Sequence, residues 1–145
     1  MAFRFPLATV LRVRESIEER EERALQRLQL EIARVRRQIE ELSAQIANAH
    51  LAREEALRRP IPAGHLHTML WDAQASVEKK KTLLHTLHTL EQQRDQQMKL
   101  YQAAHRDREM LTDMQGQQLN AYQQEQSRTQ QKHLDDIFIA RRQRG

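Results

Sequence analysis

The stretch Arg59-Pro60-Ile61-Pro62-Ala63-Gly64-His65 constrains this chain most, because it holds two of the three prolines and one of the three glycines. Long segments with helical spacing precede and follow it. Proline lacks a backbone donor and its ring clashes with the preceding turn, so a helix is predicted to end at Arg59. About six residues then remain for a reversal, and a connection that short makes successive helices antiparallel neighbours.

The sequence therefore predicts an all-α fold of two long antiparallel helices that form a coiled-coil hairpin. Helix 1 is expected over about residues 6–59, the bend over about 60–65 and helix 2 over about 66–141, with residues 1–145 forming a single domain. At 1.5 Å per residue, helix 2 would be about 110 Å long and helix 1 about 80 Å.

Apolar residues in helix 1 follow a heptad over four repeats, which is the pattern of a coiled-coil seam. One seam position is filled by Leu25, Ile32, Ile39 and Ile46, and the other by Leu28, Val35, Leu42 and Ala49. Nearer the N-terminus the apolar residues are spaced by three and four but are crowded by charges. They are Leu7, Val10, Leu11, Val13, Ile17 and Ala24. This spacing predicts a one-residue slip of the register near Ala24.

The seam of helix 2 is predicted to begin with apolar residues and to turn polar. The predicted members are Leu66, Leu70, Ala73, Val77, Leu84 and Leu87, interrupted by Lys80, and then Arg94, Met98, Tyr101, Ala104, Arg108 and Leu111. Folding the chain about Ile61 places Leu7 opposite residues 115–118. The part of helix 2 after about Leu119 would then have no partner within the chain. Leu134, Ile137 and Phe138 share one face of this overhang, so we expect them to be disordered or exposed alone and helical on a partner.

Composition excludes several classes of function. The chain has no cysteine, so thiolate metal sites and disulfides are absent, and no apolar run approaches the ~20 residues of a membrane span. His65 with His67 and His85 with His88 are spaced like metal ligands, but no second pair lies nearby, so exposed histidines are the better interpretation. Glycines are isolated, and carboxylates alternate with basic residues. We predict no enzyme activity, no cofactor, no metal site and no small-molecule substrate.

The single tryptophan, Trp71, lies near the bend and beside the predicted seam residue Leu70. Two roles are open: its ring could cover the end of the seam, or it could be an exposed anchor for a partner, since tryptophan is enriched among interface hot spots.

Both ends of the chain carry recognisable patterns. The opening, Phe3-x-Phe5-x-Leu7-x-x-Val10-Leu11-x-Val13-Arg14-Glu15, resembles the start of FliJ, a coiled-coil component of the flagellar type III export apparatus. The close, Arg128-x-x-x-Lys132-x-Leu134-Asp135-Asp136-Ile137-x-x-x-Arg141, is similar to the FliJ C-terminal pattern. Length and two-helix layout match as well, and the related injectisome proteins of the YscO type are the alternative family.

The resemblance implies a non-enzymatic stalk and adaptor, located in the cytoplasm and peripheral to the membrane through the export apparatus. Its implied partners are a hexameric export ATPase, the membrane export gate and export chaperones. The ATPase contacts it implies are Phe3, Phe5, Leu7, Lys132, Leu134, Asp135, Asp136, Ile137, Phe138 and Arg141. The weaker set of gate contacts is Gln38, Leu42, Gln45, Ala49 and Trp71.

Two other functions fit the composition. The net charge of +4, the run Lys79-Lys80-Lys81 and the terminal arginines would suit a basic coiled coil that binds nucleic acid. Mixed charges and the lack of interleaved aromatics favour a solvated surface instead, so nucleic acid is not an expected partner. A homodimeric scaffold would pack the polar half of helix 2 against a second chain.

Overall fold

The computed structural model describes residues 2–144. These residues form two helices, α1 (Ala8–Leu57) of 50 residues and α2 (Ala63–Arg144) of 82 residues. Within the described residues there is no strand. The predicted all-α, two-helix fold with the longer second helix is confirmed.

The bend occupies residues 58–62. α1 ends at Leu57, two residues before the predicted Arg59, because the amides of Arg58 and Arg59 bond to carbonyls only three residues back, at 3.3 Å each. α2 begins at Ala63 rather than Leu66. The carbonyl of Pro62 accepts hydrogen bonds from the amides of His65 and Leu66, at 3.0 and 3.2 Å. Proline thus starts α2, and Gly64 lies inside its first turn without a positive φ.

The chain divides into two compact units. The bend unit is Glu22–Leu100, and the terminal unit comprises residues 2–21 and 101–144. In each unit, the seam is the line of side chains on one helix that faces the other helix.

Large aliphatic residues hold the bend unit together. Ile32 and Val35 are each 3% exposed, and Leu25 and Leu42 are each 7% exposed. They belong to the predicted heptads, so the seam of α1 in this unit is as expected except at Ala49, which is exposed. Arg36 bonds to Glu91 across the two antiparallel helices at 3.1 Å.

The α2 side of the bend unit departs from the predicted seam. Leu70, Val77 and Leu84 are 50%, 41% and 46% exposed, so their assignment to the seam was wrong. The half-buried positions include the residue before each of them: Met69, Ser76 and Leu83, with Lys80 also half-buried. The prediction followed the more apolar line, whereas the seam follows the line that matches the heptads of α1.

The seam of the terminal unit mixes apolar and charged residues, and the predicted seam residue Ala104 of α2 is 6% exposed. After Leu11, 7% exposed, it continues through Arg14, Glu18 and Glu21 at heptad spacing. This series runs in register with Leu25, so the predicted register slip near Ala24 was wrong. Val10 and Val13, which belong to the apolar series near the N-terminus, are 43% and 52% exposed.

Glu18 is the centre of an ion-pair cluster that joins the two helices of the terminal unit. Its carboxylate accepts hydrogen bonds from Arg108 Nε at 2.6 Å and from Arg108 Nη2 at 3.4 Å. His105 Nδ1 lies 3.4 Å from the same carboxylate, and His105 Nε2 lies 3.6 Å from the carboxylate of Glu109. Hydrogen bonding from Arg108 lowers the pKa of Glu18, against the opposing effect of burial, and the same bond raises the pKa of Arg108.

α1 pairs with α2 as far as Tyr122. The rings of Phe3 and Tyr122 lie 5.5 Å apart between centroids, and Phe5 is 6% exposed. Every residue from 123 to 144 is exposed, so the overhang predicted after about Leu119 begins at residue 123. It is helical to Arg144, so the expectation that it could be disordered alone is not supported.

Candidate partner-binding surfaces

The overhang, residues 123–144, presents a small apolar stripe to solvent. Leu134, Ile137 and Phe138 are 61%, 40% and 68% exposed. Their spacing of three and four places them on one side of a regular helix. The other predicted ATPase contacts of this segment are exposed around it: Lys132, Asp135, Asp136 and Arg141. The structure therefore brings this part of the predicted site together as one accessible surface.

The stripe does not continue the seam. At 100° per residue, Ile137, Leu134 and Phe138 lie about 60°, about 120° and about 160° around the helix axis from Tyr122, the last paired residue. A partner on the stripe would approach α2 from a different side than α1 does. It could therefore bind without separating the two helices.

The charges beside the stripe are largely available. Gln131 bonds to Asp135 at 3.2 Å within the helix. Asp136 and Arg141 form no ion pair with any of residues 2–144. α2 also ends in Arg141, Arg142 and Arg144, which place positive charge where the helix dipole favours it.

The three predicted contacts at the N-terminus pack within the terminal unit. Phe3 contacts Tyr122, Leu7 is half-buried and Phe5 is buried. Phe5 therefore offers almost no surface to a partner, because an aromatic side chain at a helix end gains most by covering the seam. These residues support the base of the overhang.

Near the bend, the weaker predicted set divides in two. Gln38, Gln45 and Ala49 are exposed, and Trp71 is 68% exposed with its ring 6.4 Å from that of His67. Leu42 is 7% exposed in the seam and cannot contact a partner while the helices are paired. The exposure of Trp71 does not support the alternative that its ring covers the seam.

A cleft of about 510 Å³ lies between the helices of the bend unit. Small side chains create it, since they do not fill the space between the helices. They are Ser43, Ala47, Ala49, Ala52, Ala73 and Ser76. Val77 lines the same cleft, so its exposed side chain extends the apolar surface beside Ala73.

The histidines do not converge on a metal-binding geometry. Within residues 2–144, no group of three or more histidine or carboxylate side chains is placed to hold a metal ion. His88 instead contacts Gln92 at 3.2 Å, and His50 contacts Glu54 at 3.0 Å, each within one helix. Neither helix of the described chain has a segment long and apolar enough to cross a membrane.

The charged seam of the terminal unit is the feature that sequence reasoning missed. The signal was present, because Arg14, Glu18 and Glu21 continue the heptad of Leu25 and Ile32 toward the N-terminus. The apolar line one residue away, with Val10 and Ile17, obscured it.

Antiparallel helices that pair along a heptad seam define an α-helical coiled-coil protein. The chain belongs to the FliJ family: the family model described as "Flagellar FliJ protein" matches residues 3–145. Members are non-catalytic components of flagellar export, so this is a flagellar export-related protein. The resemblance inferred from the two terminal patterns is thereby confirmed. No curated protein and no solved structure matches the chain.

Proposed function

We propose that the chain is a central stalk and adaptor of the flagellar export apparatus. Its overhang engages the hexameric export ATPase, and its bend end contacts the membrane export gate and export chaperones. In this role it is cytoplasmic and peripheral at the inner face of the membrane. The observation that carries the proposal is the helical overhang with its exposed Leu134, Ile137 and Phe138.

An exposed apolar stripe on a single helix is costly to leave in water and contributes binding energy when a partner covers it. Lys132, Asp136 and Arg141 beside it carry both signs of charge, which suits orientation on a partner more than tight adhesion. Because the overhang is already helical, its binding does not include the cost of folding a disordered segment.

The test is stimulation of ATP hydrolysis by the purified ATPase hexamer as this chain is titrated in. Leu134→Ala with Ile137→Ala should abolish stimulation and leave the melting temperature of the isolated chain nearly unchanged, because both side chains are exposed. The matched control is Leu30→Ala with Leu51→Ala, which removes side chains that are 72% and 62% exposed in the bend unit. This control should stimulate like the parent.

Stimulation by the overhang variant equal to that of the parent would contradict the stalk role. An equal loss of stimulation in the control would show that exposed leucines outside the overhang matter as much, which would remove the overhang as the ATPase-binding segment.

The gate and chaperone contacts are proposed on the exposed residues near the bend. Trp71, 68% exposed, offers an aromatic anchor beside Gln74, Ala75 and Glu78, and Gln38, Gln45 and Ala49 are exposed on α1. Trp71→Ala should leave helicity intact and weaken binding to the cytoplasmic domain of the gate protein in a pull-down or titration. Normal gate binding by this variant would remove Trp71 from the proposed site.

A further inference from the structure

Near the bend, the apolar side chains of α2 lie beside the seam instead of in it. Leu70, Val77 and Leu84 are 50%, 41% and 46% exposed, and each follows a seam residue. The seam beside them includes the half-buried Ser76 and Lys80, and a cleft of about 510 Å³ is left between the helices. The three aliphatic side chains leave this space open and form a separate apolar line.

This apolar line belongs to a row of side chains that meets α1 on one side of the helix pair. One heptad beyond the last residue of the line, the row reaches Glu91, which bonds to Arg36 of α1 at 3.1 Å. A charged pair is the usual occupant of such a flanking position in a coiled coil. Heptad steps from Arg36 toward the bend reach Ser43 and His50. Both of these residues line the cleft, as Val77 does, so the two rows face each other there.

We call this side of the bend unit the flank surface. It comprises Leu70, Val77 and Leu84 of α2 with Ser43, His50 and Leu57 of α1. The proposed stalk and gate contacts lie elsewhere, because Gln38 and Gln45 each precede a seam residue of α1, whereas Arg36 follows one. An inference about the flank surface therefore goes beyond the proposed function.

The apolar line is symmetric about its middle residue. Its order is leucine, valine, leucine at equal steps of seven, so it is the same from either end. A two-fold interface brings residue i of one copy to residue j of the other, and j to i. When two copies of α2 lie antiparallel, Val77 meets its own equivalent and Leu70 meets Leu84. Along this alignment, from Leu70 to Leu84, no charged residue stands opposite a like charge.

We infer that the flank surface packs against the same surface of a second copy of this chain, so that two hairpins form an antiparallel four-helix contact. Helices of a bundle carry apolar residues at the seam and at one flanking position, whereas a two-stranded coiled coil needs the seam alone. The small side chain of Ser43 on the facing row allows a neighbouring helix to approach closely.

The length of the contact suits a reversible dimer. From Leu70 to Leu84 a helix rises about 21 Å, and two paired helices are about 20 Å wide, which gives a footprint of about 400 Å². A stable interface buries roughly 800 Å² per partner, so dimerisation should depend on protein concentration.

The symmetric order of the line favours a second copy over other occupants. A different protein or a lipid surface would need no such symmetry. A lipid surface would also require a continuous apolar face, whereas Ser43 and His50 are part of this one.

The first test is the mass of the full-length chain, measured by sedimentation equilibrium over a range of concentrations. The parent should approach the mass of two chains as the concentration rises. Val77→Glu should weaken dimerisation by about a hundredfold, because two carboxylates would meet on the two-fold axis. Val77→Lys should weaken it similarly. An equimolar mixture of the two variants should dimerise again, since opposite charges then meet.

The matched control is Leu30→Glu, which changes a leucine 72% exposed in the same unit and should dimerise like the parent. Circular dichroism checks that the variants remain helical, as expected for exposed positions. Recovery of the dimer on mixing shows in addition that both Val77 variants are folded.

The second test determines the orientation of the two copies. The chain has no cysteine, so a single introduced cysteine reports which residues meet. Val77→Cys should give a disulfide-linked dimer on oxidation, because the disulfide needs the two Cα atoms within about 7 Å. Leu70→Cys alone should not be linked, but a mixture of Leu70→Cys with Leu84→Cys should be. Linkage of Leu70→Cys alone as fast as Val77→Cys would contradict the antiparallel contact.

A parent that keeps the mass of one chain at about 0.1 mM would overturn the inference. So would a dimer that Val77→Glu does not weaken, or a mixture of the two Val77 variants that stays monomeric. A monomeric parent whose binding to the gate protein or to anionic vesicles is lost in Val77→Glu would assign the surface to that occupant and would equally overturn it. The mass and linkage measurements need no ATPase, so their failure is distinct from failure of the stalk proposal.

Discussion

The bend unit and the terminal unit use the same helix pairing but different side chains in the seam. In the bend unit, Ile32 and Val35 are each 3% exposed. In the terminal unit, Glu18 and Arg108 take the inward positions and bond at 2.6 Å. Apolar burial stabilises strongly and is insensitive to salt, whereas partly exposed ion pairs contribute little and are screened. The comparison teaches that the larger apolar core lies in the bend unit, whereas the terminal unit combines the buried Phe5, Leu11 and Ala104 with a charged centre.

The largest expected effect is in the bend unit. Ile32→Ala or Leu42→Ala should cost about 2–4 kcal/mol of unfolding free energy, because each removes a buried side chain from the seam. The measurement is urea unfolding followed by circular dichroism. Leu30→Ala, at a position 72% exposed, is the matched control and should change stability by less than about 0.5 kcal/mol. Similar losses in the two variants would mean that the seam is assigned to the wrong face.

A smaller effect is expected from the charged seam. Glu18→Gln removes the acceptor of the Arg108 bonds, so the thermal midpoint should fall, but by less than in Ile32→Ala. The pKa of Glu18 is lowered from 4.5 in the folded chain, so its stabilisation is complete above that value and is lost as pH falls through the lower folded pKa. The gap between parent and variant should therefore close as melts are taken below about pH 4.5.

The control for that variant is Glu55→Gln, whose partner Arg58 lies on the same helix and whose side chain is 72% exposed. It should show a negligible gap at every pH. If the difference in thermal midpoint between the parent and Glu18→Gln widened in acid, the ionised Glu18 carboxylate would not be the stabilising form, and its role as the centre of the ion-pair cluster would be refuted.

The aromatic pair that ends the terminal unit is expected to matter modestly. Tyr122→Ala should cost about 1 kcal/mol, because it removes the ring that contacts Phe3 at 5.5 Å. Leu119→Ala, 37% exposed and in the same segment, should cost less. Thermal melts of the two variants give the comparison. A loss of stability in Leu119→Ala as large as that in Ile32→Ala would mean that the terminal unit is held together as strongly as the bend unit.

The smallest effect is expected at Trp71. With 68% of its surface exposed, Trp71→Ala should change the free energy of unfolding by no more than about 0.5 kcal/mol. A clear loss of stability in urea unfolding would restore the role of a ring that covers the seam, and it would weaken the proposal that Trp71 contacts the export gate.

The sequence was sufficient for the fold because its strongest signals are local. Two prolines fix the bend, and four heptads from Leu25 to Ala49 fix one face of α1. The length difference between the helices followed from the position of the bend. The stripe at Leu134, Ile137 and Phe138 was found for the same reason, since its spacing lies within a single helix.

The sequence was insufficient where two apolar lines compete. A continuous helix carries the register set by Leu25 and Ile32 to its end, so Glu18 turns inward although Val10 and Ile17 are more apolar. On α2, for the same reason, the seam position is taken by Met69 and not by Leu70. Only the pairing of both helices decides such cases, and a pattern counted along one helix does not contain that information. The ion pairs of Glu18 with Arg108 join residues 90 apart in sequence and were missed for the same reason.

The most direct test of this account is amide hydrogen exchange, resolved by residue, at low and at high salt. The account predicts slowest exchange in α1 around Ile32 and Val35, faster exchange around Glu18 and Arg108, and the fastest over residues 123–144. Salt should speed exchange around Glu18 and leave the apolar seam unchanged, because screening weakens ion pairs that are partly exposed. Protection around Glu18 equal to that around Ile32, and unaffected by salt, would contradict the division between a stable bend unit and an adaptable terminal unit.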